Sequence, residues 1–534
     1  MVAVTVTRDQ LVPFRFAPPS LVSRNRPMAL VHGRTGTRTV SHLLLTGYNP
    51  LSPPASSQAA SWSRQAPSNP SLTPVPLNTW LSQLGREQDT FSTATPPVVT
   101  GVASSTGHSL LSYRNDHGVD RVIALGRNES GQLGIGFASQ EGTRGLVEGF
   151  EGEQVLKVRT AVQASYLLVQ HDATSNHLYS IGNLSRGRLS HPNLFSRSHT
   201  PDEQDQDEPR QNLLPRATLI DTTQLDQQSG KIVDIETGYE HVLVLTESGD
   251  IYGTGCNTDG QLGLGPESIS DIYTLTQIPL SSEITEREGG VAKIFAGGDT
   301  SGLITHSGKV YTWGNSEYAQ AGHGRKIDQI SSPLLAATRL ALDHESKGFD
   351  EPRRIVDYQC GGSFSMMLDD RNNVYTTGYG ALGYKVTPPS QSYYNPVPTR
   401  VPSLSSSDPR SRITRIRAAF GYAVAISDDS NRLFGWGLNN DHGRLGIGAL
   451  GSHPPSSTSS SSRGEDTNRA LRVERHVVEP RELELPVREL GLDEDGIEWN
   501  VGKVELGEEG MWVELRAEQE IDFERERNRD EEGA

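Results

Sequence analysis

Only two cysteines, Cys256 and Cys360, occur in 534 residues. So few thiols exclude a disulfide-dense secreted scaffold and any zinc site built mainly from cysteine. Both are expected to be small buried hydrophobes. Positive charge is also short: 49 lysines and arginines against 66 acids leave a formal net charge of -17. A nonspecific electrostatic grip on nucleic acid, which needs a basic face, is therefore not expected. No run of eighteen apolar residues occurs, so no helix is expected to span a membrane. Enzyme signatures are missing too, with no HExxH, CxxC or GxSxG. The nearest approach to a phosphate loop, Gly302 to Lys309, has the wrong spacing and Val310 where a hydroxyl is needed. No catalytic, cofactor or metal residues are expected.

Glycine, by contrast, is plentiful at 54 residues, without the triplet period of collagen. Its placement repeats. One half-unit reads apolar, two residues, apolar, two residues, small, two residues, apolar run, and it occurs seven times, starting at Val99, Val155, Ile232, Val291, Ile355, Ile413 and Val501. Its small position is Ser105, Ala161, Gly238, Gly297, Gly361, Ala419 and Gly507. A second half-unit, a β-rich stretch closed by glycine and often continued as Gly-Gln-Leu-Gly, also occurs seven times. Its shared glycines are Gly47, Gly126, Gly182, Gly255, Gly314, Gly378 and Gly437. Turn signals such as Ser248-Gly249, Ser307-Gly308 and Asn372-Asn373 lie between the halves, so each unit is expected to hold a β-hairpin.

Repeats of this length with β character predict an all-β, seven-bladed β-propeller with long irregular loops between blades. The glycines are read as sites where backbones crowd toward the central axis, and the Gly-Gln-Leu-Gly segments as tight returns to the next blade. The chain begins with a second half at Leu43 and ends with a first half at Val501. Six units are whole, over 99–136, 155–190, 232–265, 291–324, 355–385 and 413–448. The seventh is expected to form from 43–49 and 501–515, so that N- and C-terminal strands pair and seal the ring over 41–516. A sealed ring is expected to be a monomer. Residues 50–97, 191–230 and 449–500 are Ser/Pro-rich or acidic and read as exposed loops, and 517–534 as a charged tail.

Residues 1–40 differ in kind, with six arginines, no lysine and a single acid, Asp9. That pattern predicts an organelle transit peptide, with a disordered basic tail on a cytoplasmic or nuclear protein as the alternative. His108 and His241 recur at one repeat position, which points to a hydrogen bond that organises the blades. Asn128 and Asn183 stand in sequons but fall on the repeated turn, where asparagine serves the backbone. Glu317 and Tyr318 break the usual turn pattern inside WGNSEY and are the candidate partner contacts.

The stretch Ile232 to Gly265, with small-x-x-His followed by the glycine turn and Gly-Gln-Leu-Gly, resembles the regulator of chromosome condensation repeat. Within that family, WGNSEYAQAGHG at Trp313 and GYGALGYK at Gly378 look like repeats of its mitochondrial exchange-factor-like branch. The resemblance implies a non-enzymatic binding protein acting as a guanine-nucleotide exchange factor for a mitochondrial GTPase, such as the dynamin-like fusion GTPase of the inner membrane. It equally implies, as the alternative, a mitochondrial ribosome assembly or RNA-associated scaffold. Ala161, Ala419 and GNLSRGRLS at Gly182 depart from the family pattern, and looser blades are expected there.

Overall fold

The computed structural model describes residues 35–48, 68–75, 98–115, 118–150, 154–196, 212–337, 340–342, 349–350, 353–386, 394–404, 412–448, 474–493 and 497–522. Seven antiparallel sheets follow one another, each built from three strands of a repeat and one more. Blade 1 comprises Val98–Ser104, His108–Arg114, Asp120–Asn128 and Ser139–Leu146, and blade 2 Gln154–Ala161, Ala164–Gln170, Asn176–Asn183 and Leu213–Leu219. Blade 3 is Ile232–Thr237, His241–Thr246, Ile251–Gly255 and Ile272–Gln277, and blade 4 Val291–Gly297, Thr300–Thr305, Val310–Asn315 and Gln329–Ala336. Blade 5 contains Ile355–Cys360, Phe364–Asp369, Val374–Tyr379 and Tyr394–Arg400, with two short strands, Leu340–Ala341 and Phe349–Asp350, added at its outer edge. Blade 6 is Arg415–Ala419, Tyr422–Ser427, Arg432–Leu438 and His476–Glu482.

Blade 7 seals the ring as expected. Its strand order is Glu498–Leu506, Met511–Asp522, Thr35–Tyr48 and Ser68–Pro74, two strands from each end of the chain. The last strand continues to Asp522, past Arg516, the expected end of the propeller, and Trp499 faces Ala517 across it. The expected transit segment also overlaps this blade, because its strand begins at Thr35; residues 1–34 and 523–534 lie outside the described residues.

Three expectations change. The outermost strand of blades 2, 6 and 7 comes from segments read as loops: Leu213–Leu219, His476–Glu482 and Ser68–Pro74 lie in the acidic or Ser/Pro-rich stretches. The Gly-Gln-Leu-Gly segments join the third and fourth strands of one blade rather than returning to the next. They pack on that next blade instead, where Trp313 Nε1 donates to the Gln261 carbonyl at 2.9 Å and Tyr358 OH to that of Gln320 at 2.9 Å. The seven shared glycines, finally, do not crowd the axis. They end the third strand, away from the centre, and all of them adopt positive φ, from Gly47 at 78° to Gly126 and Gly182 at 116°. A Cβ at any of them would press on the backbone carbonyl just before the second strand, as at Gly314, 2.2 Å from Asp299 O. The other small column does lie at blade contacts. A Cβ on Gly297 would meet Cys360 O at 2.5 Å and one on Gly238 would meet Gly298 O at 2.5 Å, each on the next blade.

The core lies between neighbouring sheets. Ala103, Leu110 and Val122 of blade 1 pack with Val158 and Leu167 of blade 2, and Leu243 and Leu245 of blade 3 pack with Ile294, Leu303 and Trp313 of blade 4. The recurring histidines tie blades together: His108 Nε2 lies 2.9 Å from Ser165 Oγ and His241 Nε2 2.7 Å from Ser301 Oγ, each on the following blade. Burial pushes the His108 imidazole down to about 4 and that of His241 to about 3. Both stay neutral in the fold, whereas the unfolded chain protonates near 6.5. Their contribution is therefore fully present above pH ~6.5 and is lost as the pH falls from there toward the folded values, by roughly 3 kcal/mol or more per ring. Urea unfolding between pH 7.5 and 4.5 is expected to show that decline, and His108→Gln with His241→Gln to flatten it. A slope unchanged by both substitutions refutes the assignment.

The departures from the repeat are not loose. Arg188 stands where other turns have glutamine, and its guanidinium, 2% exposed, donates to the carbonyls of Ser185 at 3.1 Å and Val162 at 3.0 Å and to Glu240 Oε1 at 2.7 Å. Ser190 replaces the following glycine and takes its left-handed conformation, φ 58°. Arg444 occupies the same slot in blade 6, donating to the carbonyls of Leu438, Glu508 and Phe420 at 3.0, 3.0 and 2.8 Å.

Candidate partner-binding face

Each blade turns twice on one face of the ring, between its first and second strands and between its third and fourth. The first set of turns surrounds the end of the central channel. There the residue after the small column is Thr106, Val162, Tyr239, Gly298, Gly362, Phe420 and Glu508 around the ring. Only two are aromatic, and they meet: the Tyr239 and Phe420 rings stack with centroids 5.9 Å apart, joining blades 3 and 6 across the opening. Gly298 and Gly362 between them leave the space those rings fill. Main-chain bonds hold the plug, Tyr239 N–H to Gly298 O at 2.8 Å and Val162 N–H to Tyr239 O at 2.8 Å, while Arg444 fixes the Phe420 carbonyl.

The second set of turns carries the exposed side chains. Glu317 and Tyr318, the contacts expected from sequence, both lie at the surface of the blade 4 turn. Tyr318 is 44% exposed and its ring is 5.5 Å from that of Tyr379, which is 41% exposed on blade 5. Leu438, 49% exposed, holds the Tyr379 position in blade 6. Glu317 takes part in the turn, its N–H donating to Asn315 Oδ1 at 3.2 Å. Three large apolar or aromatic side chains on consecutive blades, on the same face as the Tyr239–Phe420 pair, are more than the scattered surface hydrophobics of an ordinary surface.

Acids flank this row. Burial, with Asp259 and Glu240 nearby, pushes the Asp299 carboxyl up to about 6. Glu508 is raised as well, by burial and by its neighbour Glu509. Arg186 partly offsets the group through its ion pair with Glu240 at 2.5 Å. Carboxylates held so close together are stabilised by an approaching cation.

Sequence reasoning missed Tyr239, Phe420, Tyr379 and Leu438. The signal was partly there, since Tyr379 and Leu438, like Tyr48 in blade 7, follow the shared glycine where the other blades have Arg127, Asn183, Cys256 or Asn315. The expected turn roles of the two sequon asparagines hold. Asn128 Oδ1 accepts from Leu133 N–H at 3.1 Å and Asn183 Oδ1 from Ser185 N–H at 2.8 Å. Cys256 and Cys360 are both buried, and burial pushes the Cys360 thiol up to about 12. Among the described residues no cluster of three or more His, Cys, Asp or Glu is arranged to hold a metal ion.

Known proteins agree with this architecture. Family profiles of the regulator of chromosome condensation (RCC1) repeat match residues 232–261, 248–304 and 307–368. The human RCC1-like G exchanging factor-like protein is 25% identical over 368 residues, 66% of this chain and 70% of its own. In three dimensions the crystal structure of human WBSCR16 superposes with a TM-score of 0.59 at 20% identity, covering 90% of this chain and 99% of that one. Prp20p of Saccharomyces cerevisiae, whose structure was described together with its binding to Gsp1p and histones, gives 0.58 at 15% identity, covering 92% and 94%. With seven blades, the split closing sheet and the matched repeats in place, the chain is a seven-bladed propeller that carries regulator of chromosome condensation repeats and is similar to proteins built from them.

Proposed function

We propose that this propeller is a non-enzymatic, exchange-factor-like regulator that grips a mitochondrial GTPase through the face carrying Tyr318, Tyr379 and Leu438. The observation that carries the reading is the exposed apolar row on blades 4 to 6 next to an acidic rim. Buried aromatic anchors supply most of the energy of protein interfaces, with charges around them setting orientation and encounter rate. An exchange factor performs no covalent chemistry; it binds the nucleotide-free GTPase more tightly than the loaded one and so shifts the population. Asp299, Glu240 and Glu508 suit that task, because a carboxylate rim competes with the nucleotide phosphates for the lysine and magnesium that hold them. The name of the human relative and the Gsp1p binding of Prp20p support the choice of a GTPase. The arginine-rich, acid-poor first forty residues support a mitochondrial address, which a fluorescent fusion with and without them tests directly.

Release of labelled GDP from purified mitochondrial GTPases is the decisive measurement. One of them is expected to lose GDP faster with the full chain present. The double substitution Tyr318→Ala and Tyr379→Ala is expected to cut that rate roughly 30-fold, the loss typical of two interface anchors. Unchanged release across the panel ends the exchange reading, and unchanged release with the double variant moves the contact elsewhere on the ring.

A further inference from the structure

We infer that the central channel holds a binding site for a small phosphate-bearing anion, beside the inner strands of blades 1, 2, 6 and 7; this stands apart from the exchange reading. The inner strands carry one charged column through most of the ring: Lys157, Asp234, Lys293, Asp357, Arg415 and Lys503 in blades 2 to 7. Alternating signs pair off across neighbouring blades, Lys157 with Asp234 and Lys293 with Asp357. One column further along, Arg159 Nε lies 2.9 Å from Glu236 Oε2. Burial alone would raise the Glu236 carboxyl, but Arg159 and Lys157 hold it well below the usual carboxylate range. The alternation fails at blades 6 and 7, where Arg415 is followed by Lys503, and at blade 1, where Gly101 and Ala103 stand in the two columns.

A cavity of about 560 Å³ opens there. Lys157, Arg159, Arg415, Arg417, Lys503 and Arg516 line it against two carboxylates, Asp428 and Glu505. A chain with a net charge of -17 has gathered six cations around one hollow. One of them lacks a close acid. The Lys503 ammonium makes no hydrogen bond or ion pair among the described residues. Arg417 donates to the main-chain oxygens of Val504 at 3.1 Å and Ile416 at 2.8 Å and makes a long ion pair with Asp357 at 4.0 Å. Burial lowers the Lys503 pKa, and Arg516, Arg159 and Arg417 lower it further, while Glu514 opposes them. An anion among these groups reverses that strain. Planar arginine forks and a point-charge lysine suit phosphate oxygens, and the volume falls in the range of small-ligand sites. Opposing cations on several strands favour a ligand with more than one charge.

The test uses the full chain at constant ionic strength, with pyrophosphate and ATP as probes and sodium chloride as the control, read by calorimetric titration and thermal melting. Millimolar pyrophosphate or ATP is expected to raise the melting midpoint by about 3 °C. Lys503→Gln, which removes an unpaired ammonium and so spares the fold, is expected to weaken binding at least tenfold; Lys503→Arg is expected to retain it. Arg287→Gln, at an exposed ion pair outside the channel, is expected to leave binding unchanged. Tighter binding of ATP than of pyrophosphate shows that the site takes the nucleoside as well as the phosphates; equal binding shows that the phosphates suffice. No binding of either probe overturns the proposal, as does equal binding by folded Lys503→Gln.

Discussion

Replacing Gly255 by alanine is expected to cost about 4 kcal/mol of unfolding free energy, whereas the same change at Gly265 costs about 1 kcal/mol. Both residues have a backbone that suits only glycine, with φ of +114° and +101°. They differ in what surrounds them. A Cβ on Gly255 would sit 2.4 Å from Glu240 O and 2.7 Å from His241 Cα, while nothing lies within 4 Å at Gly265. The Gly255 contacts are backbone, so no side chain can swing aside. The strand cannot back away either, because Cys256 N–H donates to that same Glu240 carbonyl at 2.9 Å. Glu240 also receives Arg188 and Arg186, so a shift there spreads to blade 2 and to the acidic rim. Paired urea titrations of the two variants isolate the steric part from the conformational part. Equal costs would show that the shared glycine is kept for its φ alone.

The repeat was legible because its two glycine or small-residue columns recur where substitution is most punished, and blade count and ring closure followed from their order. The fourth strands were not legible for a physical reason. They form the outer edge of every blade but the fifth, where only the short strand Leu340–Ala341 pairs beyond them, so one side is largely unpaired and proline is tolerated. Tyr394–Arg400 contains Pro396 and Pro398, and His476–Glu482 contains Pro480. Ser139–Leu146 has no buried residue. Strands of that kind carry no alternation to read. The candidate face was half legible. Tyr318 stood out as a break in its own turn, but Tyr239 and Phe420 lie far apart in sequence and become neighbours only once the ring places blades 3 and 6 across one opening. The charged column of the inner strands sits between apolar positions that dominated the pattern, and its alternation has meaning only when successive blades are known to be adjacent.

A chain ending at residue 497 is expected not to give a folded monomer, whereas one ending at residue 522 keeps the stability of the whole. Removing Glu498–Leu506 and Met511–Asp522 takes out the inner half of blade 7, including Val501, Val504, Leu506, Met511, Trp512, Val513 and Leu515, none more than 4% exposed. At roughly 1.5–3 kcal/mol each, these seven side chains are worth about 10–20 kcal/mol of burial. A whole domain retains only about 5–15 kcal/mol of net stability. The loss is also felt on both sides of the gap. Trp512 Nε1 donates to Ser109 Oγ of blade 1 at 3.2 Å, and Tyr422 OH of blade 6 donates to Gly507 O at 2.9 Å. Within the blade, the buried Glu514 carboxylate accepts from Ser41 Oγ at 2.7 Å and from Lys503 N–H at 3.1 Å, binding N-terminal and C-terminal strands into one network. Without it, Thr35–Tyr48 presents an unpaired edge that invites association with other chains. Supplying residues 498–534 as a separate polypeptide is expected to restore a cooperative melt, since the sheet needs the strands and not their covalent link. A truncated chain that melts as a monomer at the same temperature as the full one would mean that six blades stand alone and that the pairing of the two ends is incidental to the fold.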